Sequence, residues 1–339
     1  MHAMRLRRLV YIIAVGAVIV TTASWRNVQL HGQAIDPNYQ TRRSSCEGPR
    51  FDGKSLSLQA TQNEIETNPV TGLEGAGVPE RSAQTLSGST SPLGLKGGEI
   101  YVCSEYGRVV IEESSDGRMH VLVRVDVQDR GGPQAIRETK VEARMTSLQG
   151  RLQVAVWHST LGFTERQQPA WVNILVRVPP SGAYRVSGVA NHGAITIRNL
   201  DIAGGGIHAL TGYKVKGRKG YVGGHRLENV GLVGDFEIST GDASVTGFLR
   251  VVSSAKVQVR AGRGDIALQF RPDAEVGYEV KASTGNGAVG VDLDLAQAQK
   301  GAYAPSSFSG ATPDLLTKRR RVTLDLSAEA GNIDVTNLW

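Results

Sequence analysis

The stretch Val257-Gln258-Val259-Arg260-Ala261-Gly262-Arg263-Gly264-Asp265-Ile266-Ala267-Leu268 decides the fold class, because its shape returns along the chain. Gly264 is followed two and four positions later by Ile266 and Leu268, and Val257 stands seven positions before it. The same frame surrounds Gly287 (Val280, Val289, Val291), Gly331 (Leu324, Ile333, Val335) and Gly193 (Val186, Ile195, Ile197). Gly241 has Ala243 and Val245 after it but breaks the pattern before it, where Phe236 and Ile238 take the apolar role. Gly241, Gly264 and Gly287 are spaced by 23 and 23 residues; Gly193 lies 48 before Gly241 and Gly331 lies 44 after Gly287. Those longer gaps are about two periods each, with a degenerate copy near Gly217–Gly220 in the first and an insertion in the second.

Residues two and four positions after each glycine point to the same side of a strand, so each copy offers a small apolar face. One copy cannot bury that face alone; stacked copies make a continuous core, with glycine at each tight corner. The expected fold is therefore all-β: a β-solenoid, a single-stranded β-helix-like stack over residues 181–339, with 297–321 as an inserted loop. A β-sandwich would also turn at short intervals, but a fixed long period with the same corner residue fits a stack better.

Upstream, residues 99–180 read as antiparallel strands. Met119, Val121, Val123, Val125 and Val127 alternate onto one side, Asp116-Gly117 and Gln149-Gly150 mark turns, and Pro179-Pro180 ends the last strand. Residues 35–98 are rich in Ser, Thr, Gln, Gly and Pro and read as a low-complexity linker. Residues 1–34 read as an export signal: Arg5, Arg7 and Arg8 precede the apolar run Leu9 to Val20, with small residues beyond it. Cleavage after Ala23 or after Ala34 releases the chain, and a retained N-terminal anchor is the alternative. The segment also explains the net charge of +6: its four arginines and no acid leave +2 for the remainder. That near-neutral balance argues against a nucleic-acid partner.

The stretch Val176-Arg177-Val178-Pro179, leading into Tyr184-Arg185-Val186 and Asn191-His192-Gly193-Ala194-Ile195-Thr196-Ile197, resembles the DUF4097 family of β-strand-repeat proteins, also labelled adhesins. Ser283-Thr284-Gly285-Asn286-Gly287 and Glu329-Ala330-Gly331-Asn332-Ile333 look like later copies of the same motif. The resemblance spans roughly residues 99–339 and departs from the family pattern at Tyr213 to Gly224 and in 297–321. It implies a repetitive, often exported β domain with no established enzymatic activity, and supplies no site residues to carry over.

The residues themselves offer few constellations with chemistry in them. The two cysteines, Cys46 and Cys103, lie beyond the signal and are expected to pair in an oxidising compartment, closing a loop of 57 residues. Such a bond is worth about 4 kcal/mol on the chain-entropy model. Asp292 and Asp294 share a strand face and could serve as an acid/base pair, as in polysaccharide-active β-helix enzymes, although alternation with Val291, Leu293 and Leu295 explains them as a solvated face. His192, His208 and His225 recur at spacings of 16 and 17 and would need to converge to hold a metal. Gly204-Gly205-Gly206 reads as a corner rather than a dinucleotide turn, since no helix follows. Arg263-Gly264-Asp265 falls on a repeat corner. Two basic clusters could contact anionic ligands: Lys214, Lys216, Arg218 and Lys219, and Lys318, Arg319, Arg320 and Arg321.

The sequence thus predicts an exported, non-enzymatic β-repeat protein without a cofactor or metal, an adhesin or envelope binding or structural module. Its expected partners are a cell-surface glycan, an anionic lipid or another envelope protein. A polysaccharide-active β-helix enzyme and a membrane-tethered envelope sensor are the alternatives.

Overall fold

The computed structural model describes residues 54–55, 59–66, 81–90, 97–128, 139–148, 151–160, 171–180, 182–211, 213–214, 221–222, 224–293 and 306–338. All belong to one compact unit, Arg43–Trp339. The export segment lies outside them. Among the described residues no helix is long and apolar enough to cross a membrane.

Many of the strands are rich in Val and Ile, which suit a pleated, half-buried surface. In chain order they begin with β1 (Lys54–Ser55), β2 (Gln59–Glu66), β3 (Arg81–Thr90), β4 (Gly98–Glu113) and β5 (Met119–Gln128). Next come β6 (Thr139–Leu148), β7 (Arg151–Thr160), β8 (Trp171–Val178), β9 (Tyr184–Arg198) and β10 (Asp201–Thr211). A small hairpin, β11 (Tyr213–Lys214) and β12 (Tyr221–Val222), precedes β13 (Gly224–Leu232), β14 (Phe236–Asp242), β15 (Ser244–Val251), β16 (Ala255–Arg263) and β17 (Ile266–Phe270). The chain closes with β18 (Val276–Thr284), β19 (Val289–Asp292), β20 (Ser307–Ala311), β21 (Arg320–Ala330) and β22 (Ile333–Asn337).

Pairing arranges these strands into two long ladders. One runs β1, β6, β7, the first half of β4, the first half of β9, β10, β14, β16, β21, β18, β20. The other runs β2, β3, β5, β8, the second halves of β4 and β9, β13, β15, β17, β22, β19. From β7 and β8 through to β18 and β19 every step is parallel; within the ladders antiparallel pairs are confined to the two flanks, and the β11–β12 hairpin forms a separate antiparallel pair. Parallel pairing starts at β4, which runs beside β9 from Gly98 to Glu112. The antiparallel reading of residues 99–180 therefore holds for β5 against β8 and for β6 against β7, but not for β4.

The expected repeat columns are present. Val186, Gly205, Phe236, Val257, Leu324 and Val280 are successive register partners across the first ladder. Ile195, His225, Val245, Ile266, Ile333 and Val289 form the matching column of the second. The apolar members of both columns are buried, each worth about 1.5–3 kcal/mol on the area scale. These columns also explain the break at Gly241. Phe236 pairs with Val257 and Val245 with Ile266, so Ala243, not Gly241, occupies the level of Gly264. Matching glycine to glycine slips that copy by two residues, and a two-residue slip preserves the facing of every side chain.

Three further readings are revised by the pairing. The Ser/Thr-rich linker contains β2 and β3, and β3 pairs with β5 from Arg81 to Thr90. Its polar alternation carries no hydrophobic period to detect. Within the presumed inserted loop, β20 lies antiparallel along β18 and β21 begins at Arg320. That strand covers an edge which would otherwise expose a row of unpaired backbone groups. Gly204-Gly205-Gly206 lies inside β10 at a register irregularity, not at a corner. Gly205 (φ +106°) sits where a Cβ would stand 2.0 Å from the Val186 carbonyl oxygen.

Spatial order departs from chain order at the C-terminal end. β21–β22 lies between β16–β17 on one side and β18–β19 on the other. The last copy in the chain is therefore the next-to-last layer of the stack.

Candidate functional site

Among the described residues, four arrangements of chemically active side chains stand out. The first is an ion-pair row on the outer surface of the second ladder. Arg177 Nε donates to Glu112 at 2.8 Å, and Arg198 lies 3.7 Å from Glu112 and 2.7 Å from Glu228, with Arg226 also 2.7 Å from Glu228. Glu112 is the register partner of Arg177 and of Arg198, and Arg198 of Glu228. Parallel, in-register stacking turns one position per copy into a line of side chains about 4.8 Å apart. Each exposed pair contributes little stability; their arrangement as a row is the structural result.

The second is a histidine pair astride β14. His208 Nδ1 lies 2.5 Å from Ser239 Oγ, and His225 Nε2 lies 2.9 Å from the Ser239 carbonyl oxygen. His225 occupies a column otherwise filled by Ile and Val and is 1 % exposed. Burial, partly offset by the Ser239 carbonyl, pushes its pKa down to about 4, and His208 beside it adds like-charge repulsion. Burial also pushes His208 down, against the pull of Glu237. Both imidazoles are therefore neutral at pH 7. Of the three histidines singled out by spacing, the fold joins these two; His192 lies on β9 opposite Tyr106 and Thr211. Among the described residues no group of three or more His, Cys, Asp or Glu could hold a metal ion.

A serine hydroxyl on a neutral imidazole is a nucleophile–base contact. Acyl transfer also needs amides aimed at a developing oxyanion. Ser239 is mid-strand, paired in register with His208 on one side and Arg260 on the other. The surrounding strand amides point in the plane of the sheet toward neighbouring strands.

The third arrangement, in the turn between β4 and β5, holds Ser114, Asp116 and His120. Here the carboxylate is central: Ser114 Oγ donates to Asp116 at 2.6 Å, Arg118 N donates at 3.0 Å, and His120 Nε2 lies 2.9 Å from both carboxylate oxygens. These bonds, led by that from Ser114, hold the Asp116 carboxyl well below the usual range. The serine is bonded to the acid rather than to the imidazole, so nothing activates it. Incubation with a fluorophosphonate is expected to leave both Ser239 and Ser114 unmodified by peptide mass spectrometry; an adduct on Ser239 would make the His208 contact functional.

The fourth is the C-terminal basic run. Lys318 Nζ donates to the Ala274 carbonyl at 2.9 Å, and Arg321 donates to the Leu316 carbonyl at 3.0 Å. Arg320 is the most engaged: it donates to the Val251 carbonyl at 2.7 Å, to Asp273 at 2.8 Å and to Glu275 at 3.3 Å. Arg319 is 80 % exposed and lies 3.6 Å from Glu275. Much of this cationic charge thus ties the start of β21 to the turn before β18. Lys214 falls on β11, while Lys216, Arg218 and Lys219 lie outside the described residues, as does Asp294. Asp292 is exposed on β19 opposite Thr336. In the Arg263-Gly264-Asp265 triplet, the Asp265 carboxylate accepts the Asn332 amide at 2.7 Å and so joins two layers. Cys103 is fully buried on β4 and disulfide-bonded; Cys46 lies outside the described residues.

Among solved structures, the chain is similar to a candidate cell adhesion protein from Clostridium sporogenes ATCC 15579, at 13% identity and a TM-score of 0.40, over 76% of this chain and 100% of that one. It is also similar to a candidate adhesin from Bacteroides fragilis NCTC 9343, at 13% identity and a TM-score of 0.24, over 75% and 97% of the two chains. A candidate lipid-binding protein from Parabacteroides distasonis ATCC 8503 matches at 11% identity and a TM-score of 0.21, over 75% and 97%. Likeness at this level assigns neither fold, family nor function. No protein-family model matches the chain, and no curated protein matches it.

Proposed function

We propose that this protein is an exported, non-enzymatic β-repeat protein of the DUF4097 type, whose stacked copies wind as a β-solenoid and serve as an adhesin or envelope binding module. The observation that carries this reading is the parallel, in-register stacking from β4 to β19, which repeats outward-facing side chains along a regular line. An extended polymer presents its own groups at a regular spacing, and a stacked surface meets such a ligand at many points at once. The ion-pair row from Arg177 to Arg226 is the best-defined such line and suits a partner bearing both charges, such as a glycan with acidic and amino substituents or a second envelope protein. Export is supported by the basic and apolar start of the chain and by the disulfide at Cys103.

The deciding experiment uses the exported chain mixed in turn with acidic glycans, peptidoglycan and anionic vesicles, scoring bound protein and released product together. Binding to a polymer without product is the expected result. Release of cleaved glycan would overturn the non-enzymatic reading and turn attention to Asp292 and Asp294.

A further inference from the structure

The layer formed by residues 276–292 is separated from the preceding layer, 255–270, by one strand position. Among the described residues, β18 pairs with β21 and β20, and β19 with β22; neither pairs with β16 or β17. The space between these layers is a slot two strand spacings wide, about 9.5 Å, and β21–β22 fills it.

Both rims of the slot bond to the filling segment. On one side Gly264 N donates to the Ala330 carbonyl and Ile266 N to that of Asn332, each at 2.8 Å, while Asp265 takes the Asn332 amide. On the other, Gly331 N donates to the Asn286 carbonyl and Ile333 N to that of Ala288, each at 2.9 Å, and Ala288 N donates to Asn332 Oδ1 at 3.0 Å. Inside, Leu324 lies between Val257 and Val280, Leu326 between Val259 and Ala282, and Ile333 between Ile266 and Val289. Leu324, Leu326 and Ile333 are each at most 1 % exposed. The segment meets both requirements of strand addition: a main chain paired on its edges and side-chain seats at alternate positions.

We propose that this slot is a strand-acceptor site that also takes residues 320–337 of a second copy of this chain, joining two molecules by exchange of their C-terminal layers. The occupant follows from fit and from chain order. Every contact above is remade when an identical segment arrives from another molecule. Until it arrives, the 276–292 layer has no strand joining it to the stack, and two parallel edges stand open to any matching strand.

The test begins with the full-length chain. Tagged and untagged protein are unfolded, mixed, refolded at high concentration and analysed by size exclusion with light scattering. Dimers containing both forms are expected, and an excess of a synthetic peptide of residues 320–337 added during refolding should suppress them at least several-fold. In a second arm the full-length variant Leu326→Asp, whose own segment seats poorly, is expected to capture the fluorescent peptide at least ten-fold better than the wild type, whose slot is filled. If that variant does not fold, the wild-type arm decides alone. Wild-type chains that remain monomeric overturn the proposal, as do mixed dimers indifferent to the peptide, which would be joined through another surface.

Discussion

Replacing Gly193 by alanine is expected to destabilise the protein by about 3–5 kcal/mol, among the largest effects a single methyl group can have. Gly193 is the register partner of Gly107, and a Cβ at Gly193 would stand 1.7 Å from the Gly107 carbonyl oxygen. The obstacle is backbone, so no rotamer relieves it; the two layers must part, and the pairing of β4 with β9 on both ladders parts with them. Gly117→Ala is the contrasting variant. Gly117 has a positive φ, +69°, which Gly193 lacks, and nothing lies within 4 Å of its Cβ position. Its substitution is expected to cost about 1 kcal/mol, the ordinary penalty for a left-handed residue with a side chain. Urea midpoints of the two variants check the prediction. A loss at Gly193 no larger than that at Gly117 would show that the contact between layers does not govern the corner.

The second large effect is a loss of stability in mild acid that travels with His225. In the unfolded chain its imidazole takes a proton near pH 6.5, whereas burial holds the folded group neutral until about pH 4. Between those values the unfolded state binds the extra proton. The contribution of His225 is therefore complete above about pH 6.5 and declines as pH falls toward 4, by up to about 3 kcal/mol. His225→Leu is expected to remove that part of the slope, and to be more stable than wild type at pH 5 while staying within about 1 kcal/mol of it at pH 7.5. Leucine suits the column, whose neighbouring members are Ile195 and Val245, and the small loss is the bond to the Ser239 carbonyl. His208, whose pKa burial also lowers, adds acid sensitivity of the same sign, so the difference between variant and wild type is the quantity to read. Identical slopes in the two proteins would place the His225 ring in contact with water.

The two histidines bonded to Ser239, one buried and one half-buried, also mark where reading by residue type stops. Their sequence spacings of 16 and 17 carried no geometric information, because the distance between layers is set by loop lengths that vary from copy to copy. In the sequence His225 stood out only by that spacing, as one of three histidines that would need to converge to hold a metal. Its level in the column, shared with Ile195 and Val245, identifies it as a core position, and only the register shows that level. The ion-pair row was hidden for the same reason: Glu112, Arg198 and Glu228 stand on three strands, β4, β9 and β13, and meet only through pairing.

Alternation and repetition are local properties, and these the sequence determined by itself: the β class, the inward positions Met119 to Val125, the repeat columns from Val186 to Val280, and glycines such as Gly193 and Gly264 where successive layers touch. Which layer touches which was decided only by the tertiary structure. A run of copies 23 residues apart suggests stacking in chain order, yet the last copy sits inside the one before it. Each copy presents nearly the same apolar face and the same backbone edges, so sequence periodicity cannot rank one neighbour over another. The choice rests on fits between particular layers, such as Asp265 on the Asn332 amide and Leu324 between Val257 and Val280, and those fits exist only once the chain has returned to fill the slot.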